Sequence, residues 1–589
     1  MKKRVAALFL AGSMVLGLTA CSSSPSSSTN DSASGGSGES ASGGAAAQTQ
    51  ANNGGADSGE VPVLRLATKL HTEQTSALED IWAFKNLEKK FNVKFELEDL
   101  GDNSDERINQ LFMADDLPDI MWMPLSTTNA MTYGVGEGML LDWTPYMNEE
   151  TMPNLMKALE DYPDALVAST TPDGKVYSLP YIRGPVYANN TGAFSGTIRV
   201  NINKAWLDKV NMDIPTTLDE FLEVARAFKA QDPGGVGAEL IPVSDNQNKI
   251  KDYIWNALGF YGSGQTYGTN FAIKNGQITL PAYTPEAKEF MQTLNTMLKE
   301  GLVSPDYFTL EQDANRANVA KGIVGIFGDS TLQPAENNWQ DWVALSPLSS
   351  DVNDTRVAHV NAGYSLGTYV SAKTEYPELI ASILDYMYSD EGGSYYQAGP
   401  MKGTENEIDG NGWWITEDGR VVNARMEADS TATLTNGNTA WYYVAGRFDH
   451  MESFRYELAG VENPMEYRTV RDVITGKEVE MPVVDVSIFN DDNWDHHWRV
   501  IQTDAMKDYL TFIVLPPVYL TLEQKEEADD YATVINDYVT QETAKFIVGE
   551  RSLDEFDAYQ NELKELGIEE YINIYKDAYS GFTDATFGN

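Results

Sequence analysis

The residues able to do covalent or metal chemistry are few. The 589-residue chain holds one cysteine, Cys21, and five histidines against 88 aspartates and glutamates. The single thiol sits in "GLTACSSSPSSS" (17 to 28), ahead of a run that cannot fold, so no disulfide, thiolate nucleophile or zinc–thiolate site follows from it. No H-E-x-x-H and no G-x-S-x-G is present, which removes the metalloprotease and serine-hydrolase patterns. Adjacent His496 and His497 cannot both face one metal easily from a regular strand. The stretch "DDNWD" (491 to 495) has the D-x-N-x-D opening of a calcium loop, but His496 stands where glycine belongs and Gln502 where glutamate belongs. A carboxylate pair for glycoside hydrolysis stays open, since so many acids make pairs easy to find and no spacing singles one out.

The position of Cys21 has its own logic. Lys2, Lys3 and Arg4 precede "VAALFLAGSMVLGLTA" (5 to 20), an uncharged apolar run with small residues at its end. This reads as a secretory signal, and it is short for a membrane span of about 20 apolar residues. "LTAC" (18 to 21) resembles the bacterial lipobox, which implies a diacylglyceryl group on the Cys21 thiol and cleavage just before it. Two acyl chains suffice for stable anchoring where one is marginal. Residues 22 to 60 are Ser, Gly, Ala, Asn, Thr and Gln with a few acids, a composition unable to bury enough apolar area to offset chain entropy. As a flexible coil this tether has a reach on the order of 35 Å.

The formal charge is −46, and the loss of three cations with the leader takes it to −49. So acidic a surface argues against nucleic acid as a partner, because phosphate binding depends on Lys and Arg. Beyond the tether, about 530 residues are enough for more than one domain. "VPVLRLAT" (61 to 68) is strand-like, and "SALEDIWAFKNLEKKF" (76 to 91) is helical with Leu78, Ile81, Trp82, Leu87 and Phe91 on one stripe. "VKFELEDL" (93 to 100) alternates, "SDERINQLFMA" (104 to 114) is helical and "LPDIMWM" (117 to 123) is a buried strand. Strand–helix–strand–helix–strand implies a parallel sheet flanked by helices. Thr217 and Glu220 form a capping box ahead of "LDEFLEVARAFKAQ", and "KGIVGIFGDS" (321 to 330) and "YSLGTYVS" (364 to 371) read as strands. The C-terminal stretch is helical, while 401 to 500 shows little periodicity and reads as loops with short elements.

In order along the chain, "LPDIMWM", "DGKVYSLPY" (173 to 181), "NKAWLDKVNMDIPTTLDEFLEVARAFKAQDP" (203 to 233), "EAKEFMQTLNTMLKEGLVSPDYFT", "KGIVGIFG" and "AKFIVGERSLDEFDAYQNELKELGIEEYINIYKDAY" resemble the extracellular solute-binding lipoproteins of bacterial ABC sugar importers, in their long form. The resemblance implies an α/β, two-lobe periplasmic-binding-protein-like fold (type II), each lobe a mixed sheet flanked by helices and hinged around a central cleft. Residues 1–20 are the signal peptide and 21–60 the lipidated cysteine and tether. Lobe 1 is expected at 61–183 with 348–400, and lobe 2 at 184–347 with 401–589.

Ligands of open α/β sheets bind outside the carboxyl ends of strands. A saccharide needs aromatic platforms for its C–H faces and Asp, Asn or Arg for its hydroxyls. Residues just past strand ends that supply these are His71, Glu73, Trp122, Tyr181, Arg183, Asp329 and Ser330, with Trp441, Trp494 and Trp498 from second-lobe loops. Each has a plainer role open to it: Trp122, between Met121 and Met123, could be core, and Arg183 could be a hinge ion pair. Some long members of the family carry a calcium loop, D-P-N-G-N-G-x-x-D-E, after the helix matched here by 217 to 231. This chain has "DPGGVGAELIP" (232 to 242), where Asp232 and Glu239 remain but Gly234 and Val236 replace side-chain ligands, so no calcium, or only weak binding, is expected.

The expected protein is a non-enzymatic, cofactor-free monomer. It is lipid-anchored on the outer face of the bacterial cytoplasmic membrane, captures a carbohydrate and passes it to ABC permease subunits. A surface glycoside hydrolase or lyase, or a binder of peptides or other solutes, are the competing readings.

Overall fold

A computed structural model describes residues 61–70, 77–101, 103–123, 125–182, 199–245, 248–262, 267–304, 306–359, 363–401, 403–404, 412–415, 421–424, 445–447, 451–454, 465–484, 493–513 and 515–582. The elements that matter begin with β1 (Val63–Thr68), α1 (Trp82–Phe91), β2 (Lys94–Asp99), α2 (Ser104–Ala114) and β3 (Ile120–Trp122). After β4 (Leu179–Ile182) come β5 (Val200–Asn203), α3 (Leu218–Gln231), β6 (Ile241–Asp245), α4 (Lys249–Ala257) and α5 (Glu286–Lys299). Then follow α6 (Gln312–Ala320), β7 (Val324–Gly328), β8 (Trp342–Ala344) and β9 (Tyr364–Val370). The last are α7 (Pro377–Met387), β10 (Gly446–Arg447), α8 (Trp494–Met506) and α9 (Leu522–Val548).

The alternating apolar residues of the first hundred positions build a six-stranded sheet in the order β10-β4-β9-β3-β1-β2. β1 is parallel to both β2 and β3, as βαβ crossovers require, while β9 runs antiparallel to β3 and β4. Leu64 and Leu66 of β1 point into a core with Phe84 and Leu87 of α1 and Trp122 of β3. α1 and α2 each stop at a left-handed residue, Asn92 (φ 51°) and Asp115 (φ 53°), which satisfies the last carbonyls without glycine.

A second sheet has the order β8-β5-β7-β6, with β7 parallel to β6 and β5 antiparallel to its neighbours. α3 begins at the expected capping box: Glu220 N–H donates to Thr217 Oγ1 at 3.2 Å and Thr217 N–H to Glu220 Oε2 at 3.2 Å. Its buried Phe221 and Phe228 pack with Val243 of β6, and Trp255 stacks on Phe290 at 4.1 Å. Fully burying each such ring contributes roughly 1.5–3 kcal/mol relative to exposure.

The chain does not divide cleanly by sequence. β10, within the stretch expected on the second lobe, pairs in parallel with β4 at the edge of the first sheet. Tyr364, the first residue of β9, packs against both of the large apolar cores. Tyr519, just before α9, belongs to a core with Met121 and Tyr369 of the first sheet. The region 401 to 500, expected as loops, contains most of the first two turns of a regular helix, α8. Its periodicity was hidden by "DDNWDHHW", where Asn493 accepts from the N–H groups of Asp495 and His496 and so starts the helix. Among the described residues no helix is long and apolar enough to cross a membrane.

Candidate ligand-binding site

β6 and β7 run side by side and end together, Gly328 opposite Asp245. β5 runs the other way, so Arg199, just before it, lies at this same end; its carbonyl accepts the N–H of Asp329 at 3.1 Å. Arg199, Lys251 and Arg316 thus gather with Asp245 and Asp329 where the two parallel strands finish.

The first group is built on Asp245, whose side chain is buried. One oxygen accepts the N–H of Ile250 at 3.0 Å, fixing the start of α4. The other accepts Lys251 Nζ at 3.3 Å and the Tyr307 hydroxyl at 3.1 Å. Lys251 Nζ also donates to Asn248 at 3.0 Å and lies 4.5 Å from the Tyr307 ring centre and 5.7 Å from that of Tyr267. Burial, with Asp245 beside it, drives the Tyr307 phenol far above its ordinary range, and burial also raises Tyr267. Both remain neutral donors at any physiological pH. Phe308, next along, is exposed and meets the Tyr307 ring edge-on at 5.5 Å.

The second group is built on Asp329. Arg316, on α6, grips it with both arms of its guanidinium, Nε to Oδ2 at 2.9 Å and Nη2 to Oδ1 at 3.0 Å. The hydrogen bonds to Asp329 hold the Arg316 guanidinium above its usual value. Arg199 Nη1 donates to the Ser330 carbonyl at 2.9 Å, and its guanidinium carbon lies 5.8 Å from the Trp498 ring centre.

On the first sheet, β1, β2 and β3 finish at Thr68, Asp99 and Trp122, and Thr68 Oγ1 ties two of these ends by donating to the Trp122 carbonyl at 2.9 Å. Trp122 itself is 1 % exposed, held between Phe84 at 5.5 Å and Tyr396 at 5.3 Å. Tyr181 lies inside β4 and is also buried. Both rings are closed into the apolar core packed on the first sheet. Trp494 and Trp498 stand on α8 rather than in loops, and Trp498 packs with Phe327, Trp339 and Trp342. Cys21, His71, Glu73, Arg183 and Trp441 lie outside the described residues.

The structure therefore brings Asp329, Ser330 and Trp498 together at one strand end, and adds residues that the sequence did not single out: Arg199, Asp245, Lys251, Tyr267, Tyr307 and Arg316. The available signal was the strand "IPVSD" ending in an acid, followed by "NKIKDY"; an apolar run that stops on Asp is a crevice residue by the same rule that found Asp329.

The calcium-type loop does not fit the ion. Asp232 directs its two oxygens to the N–H groups of Val236 (3.0 Å) and Gly237 (2.9 Å), and Gly234 and Val236 offer no side-chain oxygen. A Cβ on Gly234 would meet the Trp206 ring at 2.3 Å, so an Asn there needs the indole to move. The second acidic stretch is the start of α8, where Asp495 pairs with the buried Arg499 at 2.8 Å and His497 Nε2 meets the Trp342 carbonyl at 2.7 Å.

Residues 68–394 match the family described as bacterial extracellular solute-binding protein. The chain belongs to that family. The fructooligosaccharide ABC transporter substrate-binding protein FusA of Streptococcus pneumoniae is 24 % identical over 523 residues, covering 85 % of this chain and 86 % of FusA. The FusA structure in complex with kestose superimposes with a TM-score of 0.64 at 20 % identity, covering 88 % of this chain and 98 % of that one. A solute-binding protein of Bifidobacterium longum infantis, described as HMO-binding and ABC-transporter associated, gives 0.65 at 20 % identity, with 88 % and 98 % covered. The binding protein thus has the two-lobed, type II solute-binding fold, each lobe a mixed sheet flanked by helices.

Proposed function

We propose that this protein captures an oligosaccharide outside the cell and delivers it, unreacted, to ABC permease subunits, held to the membrane by a diacylglyceryl group on Cys21. The carrying observation is the wall at the ends of β6 and β7. Two ion pairs in it are fixed before any ligand arrives, and neutral tyrosines stand among them with an exposed Phe308 beside. Fixed polar groups beside an aromatic face suit a molecule with hydroxyl edges and C–H faces. The relatives whose names specify a saccharide support the same reading.

In this reading lobe 1 is 61–183 with 348–400 and β10, and lobe 2 is 184–347 with the rest of 401–589. His71, Glu73, Arg183 and Trp441 would add contacts from the loops. Ligand bridging the two lobes stabilises the closed form.

Calorimetry of the purified full-length chain against neutral oligosaccharides, kestose and xylotriose among them, tests it. A binder at 100 times its dissociation constant adds about 2.7 kcal/mol to stability, a plain upward shift of the melting temperature. Chromatography should return the same saccharide. Shortened products identify a hydrolase, and melting shifts with peptides alone identify a different solute.

A further inference from the structure

Two cations of the wall are each held by a buried carboxylate. Lys251 is matched by Asp245 and Arg316 by Asp329, through contacts that use both oxygens of each acid. Arg199 makes no ion pair within 4 Å among the described residues, though the charge of Asp329 lies nearby. Its Nη1 is taken by the Ser330 carbonyl and one side of the guanidinium faces Trp498, while Nε and Nη2 have no partner among the described residues. Those two N–H groups form the side-on edge that matches a carboxylate bidentately. Burial pushes the Arg199 guanidinium down, and the nearby charge of Asp329 only partly opposes this.

Two further observations point the same way. Trp498 Nε1 and Asn201 Nδ2 are buried donors without a partner among the described residues, while Asn201 Oδ1 accepts from Gln502 Nε2 at 3.4 Å. Acceptors are not scarce elsewhere, in a chain with 88 acids to 42 bases. A ligand carboxylate would give Arg199 a counter-charge of its own on that side-on edge, and a neutral hydroxyl would not.

We propose that Arg199 seats a carboxylate of the ligand, so that the saccharide this protein prefers is an acidic one carrying a uronate or similar sugar acid. This rests on the saccharide-binding reading above and narrows it.

The test uses the full-length chain and matched probes: trigalacturonic acid against its methyl triester, and 3′-sialyllactose against lactose. The acid member of at least one pair should bind at least about tenfold more tightly, equivalent to about 1.4 kcal/mol. Arg199→Gln should bring that ratio to near one by weakening the acid alone, and Arg199→Lys should keep part of it, since a point charge lacks the fork. Equal binding within both pairs, or an equal loss for both members in Arg199→Gln, overturns the inference. So does binding only to kestose or xylotriose, which leaves the saccharide reading standing; silence from every probe overturns both. If Arg199→Gln fails to fold, the wild-type ratios and Arg199→Lys still decide.

Discussion

Arg316 and Asp329 meet through two parallel hydrogen bonds, at 2.9 and 3.0 Å, with the aspartate side chain wholly buried and the arginine about one-third exposed. The arginine is therefore the partner that can be removed with a readable result. Arg316→Gln removes the two short hydrogen bonds of a buried carboxylate and leaves longer ones from Ser330 and Thr331. We expect a loss of about 3 kcal/mol, the lower end for breaking a buried pair. Urea denaturation measures it, and an unchanged midpoint would show that the carboxylate is solvated by another route.

Lys251 and Asp245 are more deeply placed, at 6 % and 2 % side-chain exposure. Lys251→Met should destabilise by about 3–5 kcal/mol because Asp245 is stranded, whereas the double change Lys251→Met with Asp245→Leu should recover most of it. Both variants should lose ligand affinity. The double-mutant cycle separates the stability of the pair from its use in binding.

Trp122 tests core against crevice. With Phe84 and Tyr396 packed on it, Trp122→Ala should cost about 3–5 kcal/mol through the cavity left behind. A thermal melt unchanged by the substitution, combined with weakened saccharide binding, would return this ring to the ligand site.

His359 sets a pH dependence. Burial lowers its imidazole from 6.5 to about 4. Between those values the unfolded chain binds the proton and the folded chain does not, so stability is complete above pH 6.5 and falls as the pH drops toward 4. The whole effect is about 3 kcal/mol. Carboxylates add their own slope at the acid end, so the comparison is with His359→Asn, whose stability should change less between pH 7 and pH 4. Parallel curves for the two proteins would show that His359 does not contribute.

Cys21→Ala should move the protein from the membrane fraction to the medium or periplasm, read by fractionation and immunoblot. Retention in the membrane would point to an anchor other than the lipid.

Much of this architecture was legible because local and global signals agree. The period-two run at 93 to 100 appears as β2, the later part of the helical stripe at 76 to 91 appears as α1 after a separate 3-10 turn at Leu78–Asp80, and Thr217 with Glu220 starts α3 as their spacing requires. The site was only half legible. Asp329 was visible because glycines and a buried strand announce the loop that follows, but Asp245 is followed by a helix that looks like any polar stretch. Arg199 was hidden for a different reason: it precedes an antiparallel strand, and only the pairing of Val200 with Gly328 carries it to the shared end. For Trp122 the sequence left core and crevice open, because a residue at a strand's last position can face inward or outward; the structure buries it.

The strand Gly446–Arg447 completes the edge of a sheet whose first strand begins at Val63. During synthesis, that sheet cannot be finished until about three-quarters of the 589 residues have left the ribosome. An exported chain is therefore kept from closing early by its own connectivity, and neither half can be cut out as a continuous gene fragment and expected to stand alone.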